Sequence, residues 1–588
     1  MKRKNLFLSL ISSVIVAVAI VTVTICSVVQ PKKNNNNNAP VVDNININTG
    51  VDNKPDDEEV VDPTVQYDLE NTFNRNGSKE YPYIIYSTEN FKSMLTTLGG
   101  KQRVVTAPVT EEITDENGET KTVNKLDENG RLIFEAVLDE KGNKTYGVNH
   151  FELVNDIDFA GEEFVTLFNQ GEAFIGNING NGFSLKNISI NVTPENFEAV
   201  SYTHNGNRYL QVALFGETNG STFENLKIDT LKVNVSSDVH DYISAAKYKS
   251  ENPYAEMVVA GFAGYAIDTK LQNVEMNAEV AGSSYYVNDV DADGNYIAEN
   301  AMGGLVAIAE NLTIDSSKLN IKVSANAGSD YLLGGVAGYG RTAKIAKSEI
   351  NVNMETTYSR KLSIAGLFAY GRTLDIADTS VNFALTETAS EETRNAYVTS
   401  LTANGKAQAS DMVAVAGLVS VLRANDDTQK TTISNVKVTS NIDFDCIYAG
   451  AILDTYSTSD KTVNENKSLI TLSDILVDTN ANVLALHGFA RQLVATTVTY
   501  SEDARVDGYY NIKLAGDVKL TVYEASINAT TKVERGAVTI FTAVEKSFIN
   551  YAYKDLFIKV SNSVDRALMT GFDRWSIMAN SFGDYDVA

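Results

Sequence analysis

The sequence predicts an all-β chain organised around a β-solenoid, with an N-terminal signal or transmembrane helix and a small C-terminal cap. Three observations carry that expectation. A Gly-rich apolar tetrad recurs eight times, short strand-like runs follow it, and one uncharged segment occupies the N-terminus.

The tetrads are ALFG from Ala213, GFAG from Gly261, GLVA from Gly304, GVAG from Gly335, GLFA from Gly366, GLVS from Gly417, GAIL from Gly450 and GFAR from Gly488. Successive starts lie 48, 43, 31, 31, 51, 33 and 38 residues apart. The shortest unit is therefore about 31 residues, and longer intervals carry insertions displaced to the rim. Gly261, Gly264, Gly304, Gly335, Gly338, Gly366 and Gly417 are expected to be structural. A missing Cβ permits either an unusual φ or close approach between adjacent coils.

After most tetrads comes a polar turn and then a run such as LQNVEM (Leu271 to Met276), KIAKSEINVNM (Lys344 to Met354) or LDIADTSVNFAL (Leu374 to Leu385). In SEINVNM and TSVNFAL the apolar residues fall on every second position, the period of a strand with one buried face. One such unit cannot bury its apolar face alone, so neighbours must stack over a shared core. Helical repeats are disfavoured, because they need amphipathic stretches of ten or more residues that these β-branched, Asn-rich runs do not supply. The polar residue before the first apolar position is often Asn: Asn187, Asn225, Asn273 and Asn435, with Asp474 in one unit. Stacking would place them in one file exchanging side-chain hydrogen bonds at a turn, a structural role.

The N-terminus reads MKRKN and then runs from Leu6 to Val29 without a charge. That length spans a bilayer as a helix, and Lys2, Arg3 and Lys4 favour a cytoplasmic start with everything after Val29 outside. The expected location is the cell envelope, membrane-anchored with an extracellular C-terminal region. Cleavage remains open, since Thr24 and Cys26 have the spacing a signal peptidase needs, and the protein would then be secreted. Lipid attachment at Cys26 is a third route.

Five segments follow: 1–30 the signal peptide or anchor, 31–70 an acidic, Asn-rich disordered linker, 71–149 an N-terminal lead-in with a β-hairpin insertion, 150–499 the repeat region, and 500–588 the cap or a small β-rich module. The linker holds NNNNN (Asn34 to Asn38) and DNKPDDEEVVD, too little apolar surface to fold. The insertion contains DENG twice and DEKGN, pairs that supply the positive φ of tight hairpins. A solenoid end exposes unpaired strands, which calls for a cap.

With 49 Lys plus Arg against 75 Asp plus Glu, the net charge is −26, which excludes nucleic acid as a partner and confines membrane contact to the N-terminal helix. Cys26 and Cys446 are the only cysteines, so no intramolecular disulfide is expected. The four histidines (His150, His204, His240, His487) have no short metal-ligand spacing, and neither a GxSxG elbow nor a GxxxxGK[ST] loop occurs.

One segment has metal-ligand character. In DVDADGNYIAEN, Asp289, Asp291, Asp293, Asn295 and Glu299 resemble a calcium loop, although Glu299 falls at position eleven and Asn300 at twelve, where a bidentate Glu is usual. An acidic hairpin tip explains the same residues without calcium, and no other cofactor is expected. Tyr242, Tyr248 and Tyr254, in the insertion between Val235 and Met257, are candidate contact residues, since aromatic side chains give large contact area at low entropic cost. An ordinary solenoid-edge loop explains them too.

The tetrads and their following NLxI-type strands resemble the GLUG-motif repeats of bacterial surface proteins. GSKEYPYIIYSTENFKSM (Gly77 to Met94), HFELVNDIDFAG (His150 to Gly161) and FIGNINGNGFSLKNISI (Phe174 to Ile190) are similar to the lead-in and first coils of that family. The resemblance covers about Gly77 to Gly99 and His150 to Arg491. It implies a right-handed parallel β-helix in secreted or wall-associated, often adhesin-like proteins, and implies no common catalytic residues. Ala369 and Ser420 depart from the pattern by replacing the last glycine of their tetrads.

The function expected from these readings is a non-catalytic cell-surface repeat protein that binds or displays. Its partner would be a host, matrix or glycan ligand, or other copies of itself. The alternatives are an extracellular carbohydrate-active β-helix enzyme, whose carboxylates would converge from neighbouring coils, and a purely structural, self-assembling envelope spacer.

Overall fold

The computed structural model describes residues 75–446 apart from several connecting segments, the longest being 240–253, 283–298 and 397–412, and beyond 446 the backbone of separate strands. The uncharged N-terminal segment, the Asn-rich linker and most of the expected cap lie outside the described residues. Among the described residues no helix is long and apolar enough to cross a membrane.

The chain is predominantly β, and its strands join one long sheet in which successive coils pair in parallel. In the repeat, each coil contributes three runs. A first strand ends at the tetrad (Tyr254–Ala260, Glu299–Gly303, Tyr331–Gly334, Leu362–Ala365), and a second leaves it (Ala263–Ile267, Val306–Asp315, Ala337–Ala346). The third runs are β1 (Lys227–Val235), β2 (Glu275–Gly282), β3 (Lys318–Ala325), β4 (Glu349–Thr356), β5 (Phe368–Glu387) and β6 (Thr431–Cys446). In β5 the second and third runs form one strand.

Period-two alternation decides what these strands bury. Ile228, Met276, Leu319, Ile350, Val381 and Val438 occupy one inward column, each opposite the next in register. All six are at most 1% exposed, and burying each contributes roughly 2 kcal/mol. Columns of this kind merge into one continuous core along the stack.

The glycines that open the tetrads form a column of their own. A Cβ on Gly261 would stand 2.6 Å from the Gly304 carbonyl oxygen, one on Gly304 2.6 Å from that of Gly335, one on Gly335 2.1 Å from that of Gly366, and one on Gly366 2.2 Å from that of Gly417. The reason for glycine here is close approach between coils, since none of these four has a positive φ. Gly264 is crowded in the same way by the carbonyl oxygen of Gly216, and Gly338 by that of Leu332 in its own coil and by the Ala301 side chain of the coil before. The next residue of each tetrad (Leu214, Phe262, Leu305, Val336, Leu367, Leu418) plugs the core at 0–1% exposure.

At the N-terminal end, helix α1 (Thr88–Met94) closes the stack. Ser87 caps it by accepting the Asn90 N–H at 3.1 Å. Phe91, Met94 and Leu95 are buried against the core end, where Phe91 packs on Phe159 with ring centroids 5.4 Å apart. Between α1 and the first coils, residues 103–147 form antiparallel hairpins. Their three tips are equivalent: Asp115, Asp127 and Asp139 each accept two backbone N–H groups at 2.8–2.9 Å. Gly118, Gly130 and Gly142 turn the chain at φ of 82, 78 and 84°.

Gly335→Ala tests the glycine column. Forcing a methyl against the Gly366 carbonyl should lower the unfolding free energy in urea by about 2 kcal/mol, and an unchanged midpoint would mean that the coils have room there.

Candidate functional site

Counting from the first residue of each tetrad aligns the coils. Twelve positions on stand Asn225, Asn273, Ser316, Lys347 and Asp378, all in the left-handed region at φ of 50, 51, 51, 50 and 50°, and Asn435 joins them at 50°. This residue turns each coil from its second into its third run. Asn and Asp tolerate that conformation because their short polar side chains bond locally. Asn273 donates to Asn225 Oδ1 at 2.8 Å and Asn225 to Asn179 Oδ1 at 3.3 Å. Asn435 donates to Asp378 Oδ1 at 2.6 Å. Ser316 and Lys347 interrupt the amide chain while keeping the turn.

Asn187 belongs to another file. It stands opposite Thr230, and both have positive φ, 55 and 70°. Its side chain donates to Asp158 Oδ1 at 2.8 Å. The expected single file of four asparagines is thus two files, because a second left-handed position lies further along the early third runs. Asp474 lies where only the backbone is described.

Four positions beyond the turn, and sixteen from the tetrad start, come Asp229, Asn277, Asn320, Asn351 and Asn382. These side chains point outward from β1 to β5 and bond coil to coil. Asn320 donates to Asn277 Oδ1 at 2.8 Å, Asn351 to Asn320 at 2.9 Å, and Asn382 to Asn351 at 2.7 Å. Asn277 donates to Asp229 at 3.4 Å. Each ladder bond uses one N–H and one carbonyl lone pair, and the primary amide has two of each. Asn351 gives its second N–H to Glu349 Oε1 at 2.9 Å.

Beside the ladder runs a trough of about 540 Å³. The ladder is one wall, and the row Glu279, Lys322, Asn353, Ala384 and Asn441 is the other. Its charges are already matched, Glu279 to Lys232 at 3.4 Å and Lys322 to Glu355 at 3.2 Å. Such exposed pairs contribute under about 1 kcal/mol each.

A different group lies on the far side of the tetrad. Four positions from each tetrad start stand Glu217, Tyr265, Ile308, Tyr339 and Tyr370, stacked in register. Ile308, Tyr339 and Tyr370 belong to a second apolar cluster separate from the main core. The Tyr339 and Tyr370 rings stack at 4.8 Å and 17°. Glu217 is 4% exposed, and its Oε1 has no hydrogen-bond partner. Burial alone pushes its carboxyl up to about 7. The signal was present in the sequence as the one charged residue in an otherwise apolar or aromatic column.

Asp289, Asp291, Asp293 and Asn295 lie outside the described residues, and Glu299 opens the strand Glu299–Gly303 opposite Glu256. Among the described residues no group of three or more His, Cys, Asp or Glu could hold a metal ion. Tyr242 and Tyr248 also lie outside, while Tyr254 opens Tyr254–Ala260 opposite Arg208. Gly417 receives the Gly366 approach described above. Cys446 ends β6. His150 is half-buried, and burial, followed by Arg103 and Lys79, holds its imidazole below the usual range.

No family model matches the chain, and no curated protein matches it. Among solved structures, a protein from Bacteroides ovatus described as a "putative immunoglobulin A1 protease" aligns with 83% of this chain and 86% of its own, at 12% identity and a TM-score of 0.27. A likeness that weak carries no argument about this chain.

Two outcomes are expected. The folded chain holds the Glu217 proton to about pH 7, whereas an unfolded Glu releases it near pH 4.3. Its contribution is fully present below the lower value and is lost as pH rises through the upper one. Glu217→Gln should therefore leave urea stability nearly unchanged at pH 4 and raise it by up to about 3 kcal/mol at pH 8; equal effects at both pH values would contradict the buried titration. At the turn file, Asn273→Ala should cost about 1–2 kcal/mol and Asn273→Gly less, read as thermal midpoints. The reverse order would mean that the amide bond, not the φ, matters most.

Proposed function

We propose that this chain is a non-catalytic surface protein: a right-handed parallel β-helix of the GLUG-motif type, tethered to the envelope through its N-terminal segment and completed by a C-terminal cap. The observation that carries this reading is where the insertions fall. The strands keep one register from coil to coil through β2 to β6, and between β1 and β2 it slips by one residue at Thr230. The connecting segments 236–253, 283–298, 326–330, 357–361 and 388–412 differ in length and join the end of a third run to the next first run, while 425–430 and 458–469 join a second run to a third.

A constant scaffold with variable segments confined to the connections between its runs suits presentation, because loops on a rigid frame carry recognition while the frame carries stability.

Protease treatment of intact cells producing the full chain tests the proposal. Peptides cut within 236–253, 283–298 and 388–412 should be released while the coils stay protected, as mass spectrometry of the supernatant would record. Complete resistance on intact cells, with cleavage only after lysis, would place the chain inside and overturn the reading.

A further inference from the structure

The trough along the outward face of β2 to β6 has a shape, a wall chemistry and a charge state that together select a ligand. It runs straight across successive coils, and parallel strands spaced about 4.8 Å apart make it roughly 20 Å long over five of them. A linear molecule lying along the stack axis fits this form better than a compact one. We infer that the trough binds a neutral, hydroxyl-rich polymer, an oligosaccharide chain held by the asparagine ladder.

The ladder supplies the recognition. Asn320 and Asn382 each donate one N–H to the coil before, which leaves the second N–H of each amide available beside the trough. A sugar hydroxyl both donates and accepts, as a primary amide does. Because the ladder bonds hold the amides in place, little side-chain entropy remains to be lost on binding, and the amide recurs in the four successive strands β2 to β5.

Other ligands fit less well. The ion pairs of Glu279 and Lys322 leave no unmatched charge on the opposite wall, and a chain of net charge −26 disfavours an acidic polymer. The floor is strand backbone already paired from coil to coil, so a peptide cannot add to it as a further strand. No aromatic or large apolar side chain is exposed along the two walls, where Asn and the short Ala384 alternate with paired charges.

This inference rests on the surface reading, since an oligosaccharide would meet this face outside the cell. The test separates the two. The full chain, purified in a detergent without a sugar headgroup, is titrated calorimetrically with neutral tetra- to octasaccharides of glucose, mannose, galactose and N-acetylglucosamine, and with uronate oligomers of equal length. Binding of at least one neutral series is expected, strengthening with chain length.

The double variant Asn320→Ala with Asn382→Ala should weaken that binding about tenfold, the loss of one or two hydrogen bonds. Asn353→Lys lies on the wall opposite the ladder, leaves the ladder intact and should weaken binding by narrowing the trough. Circular dichroism and thermal midpoints near those of the parent confirm that each variant is folded. Absence of binding by every neutral series, preference for uronates, or affinity unchanged in both folded variants would overturn the inference. Release of loop peptides from intact cells alongside any of these results would leave the surface reading standing.

Discussion

Coil-to-coil contact at the tetrad glycines sets the geometry on which everything else depends. Parallel strands must sit at one hydrogen-bonding distance, and at the tetrad the backbone itself lies in the way. Gly261, Gly304, Gly335 and Gly366 each present a bare Cα to the carbonyl of the following coil, and Gly335 donates its N–H to Ala365 at 2.9 Å. With that contact fixed, the side chain that follows is driven into the core, and every later position of the coil is indexed to it.

Indexing explains why features recur at constant offsets although the coils differ in length. The turn residue stands twelve positions from the tetrad start and the ladder residue sixteen, in every coil from Ala213 to Gly366. Within a strand of those coils, inserting one residue would shift the pleat and turn the core face outward. Length variation collects beyond the third run and, in the coil from Gly417, also at 425–430, which sets Asn435 eighteen positions from its tetrad start. Lys347 marks how strong the constraint is. A long side chain with no local bond to offer adopts φ of 50°, a conformation costing roughly 1 kcal/mol or more, because the strands on either side dictate it.

The stacked repeat was legible in the sequence through the tetrads and the alternation of runs such as SEINVNM. The turn file was legible as asparagines, but Asn187 entered it because a motif such as KNISI looks like ENLKI when only the neighbours are compared. The offset from the tetrad tells them apart, and the first coils lack a full tetrad to count from. The ladder went unseen for a different reason. Asn277, Asn320, Asn351 and Asn382 sit on outward positions of alternating runs, where any polar residue satisfies the pattern, so their identity stands out only when four coils are aligned. Glu217 was hidden because a single acidic residue in GETNG reads as a turn until the column containing Tyr339 and Tyr370 shows what surrounds it.

Comparing the extents of the three files separates scaffold from site. The glycine column runs from Gly261 to Gly417 and the left-handed turn from Asn225 to Asn435, as features required by every coil should. The outward ladder is shorter. It begins at Asp229 and ends at Asn382, where the register continues to Thr439, although the strand beneath is as well paired there as before. A device needed only to hold coils together has no reason to stop while the coils go on. The trough's remaining residues, Thr230 at one end and Thr439 and Asn441 at the other, bracket the same stretch. Finite length on an otherwise continuous stack is what a bound chain of limited length demands and what structural stacking does not.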